Sequence, residues 1–225
     1  MAITISLLGG ESSGKTTLAQ ALHQHMQEQL HIETALVPEQ LRLWCQAMGR
    51  APRAEEQAER ADAQTRQIEV ARRLPGVRVV IADTTALVVA AYSELYFNDR
   101  SLYPAALAQQ RRCDLTLLMG LDLPWMADGL FRDSPALREA TDAVLRRELL
   151  GAGLPFQTVY GTGDERLRQA LRSIGRVLGE PLVPGDPAWP QGRRPWNCDK
   201  CSDADCEHRL FTQLIAQQHA EKPTP

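Results

Sequence analysis

The chain has 225 residues, of which 44% are hydrophobic and 24% charged, a balance typical of a globular protein with one main buried core. Its 25 Lys and Arg residues against 28 Asp and Glu residues leave a formal net charge of -3, without the basic excess of a nucleic-acid-binding protein. No basic leader precedes the first strand and no apolar run approaches the length of a bilayer, so we expect a cytoplasmic protein without nucleic-acid or membrane partners.

A glycine-rich loop between a predicted strand and a predicted helix opens the chain. The apolar run 2–8 predicts the strand, and the GGESSGKT that follows fits the phosphate-binding pattern GxxxxGK[ST]. Glycines let successive backbone N–H groups point at phosphate oxygens, Lys15 adds a point charge, and Thr16 offers a hydroxyl to Mg²⁺. A four-residue apolar repeat from Leu18 to Leu30 predicts the helix. The predicted nucleotide-binding residues are Gly9, Gly10, Glu11, Ser12, Ser13, Gly14, Lys15, Thr16 and Thr17.

Two later strands are each followed by an acidic residue. The run 33–37 is stopped by Pro38 and leads to Glu39, and the β-branched run 77–82 leads to Asp83. Helical patterns over 40–48 and 54–74 lie between these two strands. Because the carboxyl ends of parallel strands share one edge of a sheet, we expect Glu39 and Asp83 to lie near the glycine-rich loop.

The remaining elements continue the alternation of strands and helices. Helices are predicted over 84–97, 104–112, 135–150 and 164–178, and strands over 114–119 and 156–159. Ser134 followed by Pro135 predicts the start of the third of these helices, and Gly179 the end of the fourth. The fold class is therefore α/β, a P-loop NTPase-type parallel sheet flanked by helices, in a domain of residues 1–180. A proline-rich strap and a small Cys/His tail follow in residues 181–225.

The acids at the strand ends suggest transfer of a phosphoryl group to an acceptor hydroxyl. We assign Glu39 as the general base that orients the hydroxyl and takes its proton, and Asp83 as a Mg²⁺ or substrate ligand. The sequence also allows the two roles to be exchanged. The structural alternatives are that Glu39 is an exposed loop acid and that Asp83 belongs to a buried ion pair. Arg42, one helical turn after Glu39, either faces the same substrate or pairs with Glu39.

The segment 122–133 has no hydrophobic periodicity and is predicted to be a mobile loop. In this loop Arg132 is a candidate catalytic residue that closes over the phosphates and neutralises developing charge. Trp125 and Asp128 are candidates for the acceptor side, where the indole would stack on a flat ring. The alternative for each is ordinary packing or surface exposure.

Four metal-ligand residue types are concentrated near the end of the chain. Cys198 and Cys201 form a CxxC pair, and Cys206 with His208 completes a set that suits tetrahedral Zn²⁺. We predict a structural zinc site there. The alternative is a disordered tail with incidental thiols.

The chain resembles the P-loop ATPase/kinase family of NAD metabolism, in particular the ribosylnicotinamide kinase domain of bacterial bifunctional NAD-salvage regulators. The matching stretches are GGESSGKT at 9–16, VPEQLR at 37–42, DTT at 83–85 and WMADGL at 125–130. Thr85 stands where that family has a second acid, and Phe131 separates Leu130 from Arg132. The resemblance implies that ATP with Mg²⁺ phosphorylates a ribosyl hydroxyl of nicotinamide riboside to give nicotinamide mononucleotide.

The functional prediction is therefore an ATP-dependent kinase of a small nucleoside-like acceptor, with nicotinamide riboside the first candidate. Two alternatives stay open. One is a P-loop kinase of another small metabolite, and the other is a nucleotide-dependent regulatory or interaction module that uses the Cys/His tail as a partner surface.

Overall fold

The computed structural model describes residues 2–126 and 134–185. In this part strands and helices alternate, as the sequence predicts. The elements are β1 (Ile3–Leu8), α1 (Lys15–Glu28), β2 (Thr34–Val37), α2 (Gln40–Met48), α3 (Gln57–Arg72), β3 (Val79–Asp83), α4 (Ala86–Phe97), α5 (Tyr103–Gln110), β4 (Leu115–Met119), α6 (Pro135–Gly151), β5 (Gln157–Val159) and α7 (Gly163–Leu178).

The five strands form one parallel sheet in the order β2-β3-β1-β4-β5. The central strand β1 aligns Ile5 with Ile81 of β3 on one side and with Leu115 of β4 on the other. Each parallel connection requires a crossover, and the helices between the strands supply it. Consequently the carboxyl ends of β1, β2 and β3, which precede Gly9, Pro38 and Thr84, lie along one edge of the sheet.

Helices cover both faces of the sheet. Ile5 and Leu7 of β1 pack in one cluster with apolar side chains of α1 and α7, whereas Leu8 packs in a second cluster with α4 and α6. Helix α4 is the central helix of the second face, because every residue from Ala86 to Ser93 is buried. The sheet is thus buried on both sides, so that even the polar side chains of β1, Thr4 and Ser6, are fully buried.

Capping residues set several helix ends. The Ser134 side chain accepts a hydrogen bond from the Leu137 backbone N–H, and Gly179 ends α7 with a left-handed φ of 77°, both as predicted. Helix α4 begins at Ala86, two residues later than predicted, because the Thr85 hydroxyl accepts a hydrogen bond from Leu87 N. Thr85, which stands where the resembled family has a second acid, is therefore a helix cap in this chain.

Helices α1 and α3 are also shorter in the structure than in the sequence pattern. Helix α1 ends at Glu28, and the Leu30 backbone N–H bonds the His25 carbonyl, so Leu30 packs against the core from outside the helix. The predicted helix 54–74 divides into a 3₁₀ turn, Ala54–Glu56, and α3.

The core continues into the start of the proline-rich segment. Leu182 and Val183 are buried with the α1 and α7 side chains, and the first compact unit of the chain ends at Pro184. No helix in the described part has the length and hydropathy needed to cross a membrane.

Candidate functional site

The glycine-rich loop closes on itself between β1 and α1. Gly14 adopts a φ of 82° at the start of α1, a conformation that most L-residues avoid, and the Ser13 hydroxyl donates to the Gly10 carbonyl at 2.7 Å. A Cβ on Gly10 would lie 2.7 Å from the Arg138 carbonyl oxygen, so only glycine allows α6 to approach this closely. The loop is therefore held in a compact form at the positive end of α1, which favours an anion.

The Lys15 side chain lies across this loop. Its ammonium group donates to the carbonyl oxygens of Gly9 at 2.9 Å and Gly10 at 2.8 Å, and the residue is buried. The loop carbonyls thus hold a positive charge beside the position where phosphate oxygens are expected.

Thr16 and Asp83 meet at the adjacent strand end, as the sequence predicts. The Thr16 hydroxyl donates to Asp83 Oδ2 at 2.6 Å. Asp83 is 3% exposed, and its Oδ1 has no hydrogen-bond partner within the described part of the chain. A hydroxyl oxygen beside a carboxylate with one unmatched buried oxygen is a donor set that fits Mg²⁺, which prefers oxygen ligands.

Gln64 of α3 joins the segments that carry the two acids. Its side-chain oxygen accepts from the Gln40 backbone N–H at 2.8 Å, and its amide nitrogen donates to the Thr84 carbonyl at 3.3 Å. Thr84 has a φ of 80°, and its buried hydroxyl lacks a partner among the described residues. The buried Gln64 side chain therefore links the segments that follow β2 and β3. Thr84 itself has an unfavourable backbone conformation.

A cleft of about 240 Å³ opens from the glycine-rich loop, residues 9–16, here termed the phosphate loop, toward α2 and α4. Glu39 and Arg42 both line it, so the structure brings these two predicted residues together beside the loop. Asp83 does not line the cleft itself, but its carboxylate accepts a hydrogen bond from Thr16, which does. The cleft is lined by Glu11, Ser12, Ser13, Gly14, Lys15, Thr16, Glu39, Leu41, Arg42, Cys45, Ala51, Pro52, Gln57, Tyr92, Tyr96 and Phe97.

Arg166 of α7 also supports the loop, and no local sequence pattern indicated this role. Its guanidinium donates to the Ser13 carbonyl at 2.7 Å, to the Gly161 carbonyl at 2.9 Å and to Asp122 Oδ1 at 2.6 Å. Burial lowers the pKa of Arg166, and the Asp122 carboxylate opposes that effect. An arginine 153 residues from Ser13 carries no local sequence signal, since only the folded sheet brings α7 to the loop.

Arg138 of α6 is a second buried arginine beside the loop, and it was also missed. It is 7% exposed and donates to the Leu123 carbonyl at 2.8 Å. The segment that it holds passes over the loop, where the Met126 backbone N–H donates to the Ser12 hydroxyl at 2.8 Å.

Trp125 belongs to this same segment but does not line the cleft, and its indole N–H has no partner in the described part of the chain. Its predicted contact with an acceptor stays a prediction. Six further predicted site residues lie outside the described residues: Asp128, Arg132, Cys198, Cys201, Cys206 and His208. Within the described residues there is no cluster of three or more His, Cys, Asp and Glu side chains suited to a metal ion.

One family model, described as an AAA domain, matches residues 4–166. That range includes the glycine-rich loop, both strand-end acids and the cleft. No curated protein sequence matches the chain significantly.

Solved structures with the same fold include two of NadR protein. The complex with NR superposes with a TM-score of 0.66 at 20% identity, covering 79% of this chain and 52% of that one. The complex with NAD and AMP-PNP gives 0.64 at 19% identity, covering 81% and 51%. Deoxyadenosine kinase from M. mycoides, with products dCMP and a flexible dCDP bound, gives 0.52 at 13% identity, covering 77% and 100%.

This chain spans about half the length of the two NadR chains. At these identities the likeness establishes the fold, and it confirms the predicted P-loop parallel sheet and the structural resemblance to the NadR proteins.

Proposed function

Because the chain belongs to the AAA domain family of P-loop proteins, we propose that it transfers the γ-phosphoryl group of ATP to a ribosyl hydroxyl of a small nucleoside-like acceptor. Nicotinamide riboside is the acceptor that we put first, since the NadR structure with the same fold contains NR. The observation that carries this proposal is the cleft, which runs from the glycine-rich loop to Glu39 and combines charged residues with apolar and aromatic side chains.

The phosphate loop supplies the binding site for the triphosphate. Its backbone N–H groups and the positive end of α1 favour the anion, and the Lys15 ammonium leaves the Gly9 and Gly10 carbonyls to pair with phosphate oxygens. Arg166 supports this loop by donating a hydrogen bond to the Ser13 carbonyl. We propose that these contacts direct the γ-phosphoryl group toward the cleft.

Thr16 and Asp83 are the residues that would hold Mg²⁺. The ion, when bound, neutralises charge on the phosphate oxygens. The hydrogen bond that the Thr16 hydroxyl donates to Asp83 Oδ2 holds these two oxygens 2.6 Å apart. This arrangement favours the metal-ligand role for Asp83 over the alternative role of general base.

Glu39 then accepts the proton of the acceptor hydroxyl. As the bond between the acceptor oxygen and the γ-phosphorus forms, the bond from that phosphorus to the oxygen bridging to the β-phosphorus breaks, and ADP leaves. Lys15 neutralises the charge that develops on the leaving oxygen. Arg42 lines the same cleft and is proposed to contact the acceptor.

An ADP-release assay over a panel of nucleosides tests the proposal. We expect turnover that depends on the acceptor, with nicotinamide riboside the best substrate, and nicotinamide mononucleotide as the product by mass spectrometry. Another nucleoside as best substrate would keep the kinase and change the acceptor. ATP binding without stimulation by any acceptor would contradict the kinase and favour a regulatory module.

A further inference from the structure

Gln57 lines the acceptor cleft and begins helix α3. The same cleft is also lined by Leu41, Cys45, Pro52 and Tyr92, which are apolar or aromatic and provide walls for a flat ring. An oriented polar group beside apolar walls, such as the Gln57 carboxamide, usually helps to determine which ligand a pocket accepts.

The Gln57 amide is buried without a full set of hydrogen bonds. The residue is 3% exposed, its Nε2 lies 3.4 Å from the Pro52 carbonyl oxygen, and its Oε1 has no partner in the described part of the chain. Buried polar atoms in folded proteins are almost always matched, so an unmatched carbonyl oxygen beside a ligand cleft calls for an explanation.

Other buried glutamines in this protein do not share this property. Gln64, two turns later on the same helix, bonds the Gln40 N–H through its oxygen and the Thr84 carbonyl through its nitrogen. Gln110 of α5 likewise uses both ends of its amide, accepting from Thr85 and donating to Ser6. Both ends of these two glutamine amides, away from the cleft, are therefore hydrogen-bonded. The carbonyl oxygen of Gln57, which lines the cleft, can still accept a hydrogen bond.

We propose that Gln57 selects the acceptor by pairing with an amide edge on its ring. A carboxamide presents an N–H donor and a C=O acceptor in one plane, which matches the Oε1 acceptor and the Nε2 donor of Gln57. A carboxylate at the same place offers no N–H and leaves Oε1 unmatched. This inference rests on the proposed function, and it states which part of nicotinamide riboside the cleft recognises.

The test compares nicotinamide riboside with nicotinic acid riboside, which differ only in this group. With the full-length wild-type protein we expect kcat/KM for the amide to exceed that for the acid by about tenfold or more, because a site built around a hydrogen bond discriminates strongly against an analogue lacking it. Equal kcat/KM for the two ribosides would overturn the inference irrespective of any variant.

Gln57→Met removes the amide at nearly constant volume. We expect the preference to fall to within about threefold, with the KM for ATP unchanged, and the thermal midpoint to stay the same or rise because an unmatched buried acceptor is lost. The matched control is Gln109→Met on α5, where the glutamine is buried, donates to Glu69 at 3.2 Å and does not line the cleft. It should lower the midpoint and leave the preference intact.

The outcomes separate the two proposals. If wild-type protein phosphorylates neither riboside, the proposed acceptor fails and this inference fails with it. If it prefers the amide and Gln57→Met retains that preference, only the inference is overturned. A lower thermal midpoint with unchanged preference would assign Gln57 a purely structural role.

Discussion

At the scale of single residues, local sequence patterns were enough to locate the side chains of the glycine-rich loop and of the strand ends. Gly14, Lys15 and Thr16 are fixed by the loop pattern, and Asp83 follows directly from the end of a buried strand. Arg138 and Arg166 could not be predicted in this way, because their contacts with the loop depend on the packing of α6 and α7. The unmatched oxygen of Gln57 is likewise a property of the folded environment.

Glu39→Gln tests the assignment of the general base. The amide retains the shape of the side chain but cannot take a proton, so we expect kcat to fall by about 10²–10⁴-fold while ATP affinity is unchanged. Steady-state kinetics and ATP titration measure the two effects. Glu33→Gln, an exposed acid just before β2, is the control and should behave as wild type.

Asp83→Asn belongs to the same test, because its carboxylate is proposed to hold Mg²⁺ with Thr16. It should raise the Mg²⁺ concentration required for half-maximal activity, which Glu39→Gln should not. If Lys15→Ala abolishes activity while both acid variants remain fully active, the assignment of the two acids is wrong.

At the scale of elements, hydrophobic period and capping residues were sufficient for most helices and strands. Helix α2 has the predicted bounds, and α6 begins at Pro135 after the predicted cap. The 3₁₀ turn before α3 was not predicted, because it depends on Glu56 folding back on its neighbours. The Glu56 carboxylate accepts from both terminal nitrogens of Arg50 at 2.7 Å and from the Arg53 backbone N–H at 2.8 Å.

This turn should make stability depend on pH. The Arg50 side chain, followed by the Arg53 N–H, lowers the pKa of Glu56 from 4.5 to about 2. The lowered pKa of Glu56 means that its carboxylate stabilises the folded state at pH values above 4.5, the ordinary pKa of the group. This stabilisation is lost as the pH falls toward 2. We therefore expect Glu56→Gln to lower the thermal midpoint at pH 7, and the difference from wild type to shrink between pH 4.5 and the acid limit.

Thermal unfolding at a series of pH values measures this difference. Glu55→Gln, the exposed adjacent acid, is the matched control and should follow wild type throughout. A Glu56→Gln deficit that stays constant from neutral to acid pH would contradict the prediction.

At the scale of the whole molecule, alternating strands and helices were enough to predict an α/β P-loop sheet, since few topologies satisfy that order. The extent of the core was harder to predict. The proline content after residue 180 indicates a linker, yet Leu182 and Val183 pack with α1 and α7. Burial of a short irregular segment depends on distant partners, so composition alone does not reveal it.

Leu182→Ala in the full chain measures how much that segment contributes. Leu182 is 4% exposed in a packed cluster, so we expect its truncation to reduce the free energy of unfolding by about 2–5 kcal/mol. Val177→Ala, at a position 37% exposed on α7, should reduce it by less than about 1 kcal/mol. Urea unfolding followed by circular dichroism provides both values, and equal losses for the two variants would contradict this account.

Thr84 shows how the demands of folding and of the proposed phosphoryl transfer diverge in this protein. A β-branched residue with a φ of 80° and an unmatched hydroxyl raises the free energy of the folded chain beside the residue that would hold the metal. Glycine would relieve this conformation and also loosen the direction of the Asp83 side chain. Under the proposed function, selection for thermal stability alone would therefore favour replacements at position 84 that raise the thermal midpoint and lower the turnover rate. Selection for turnover would retain Thr84.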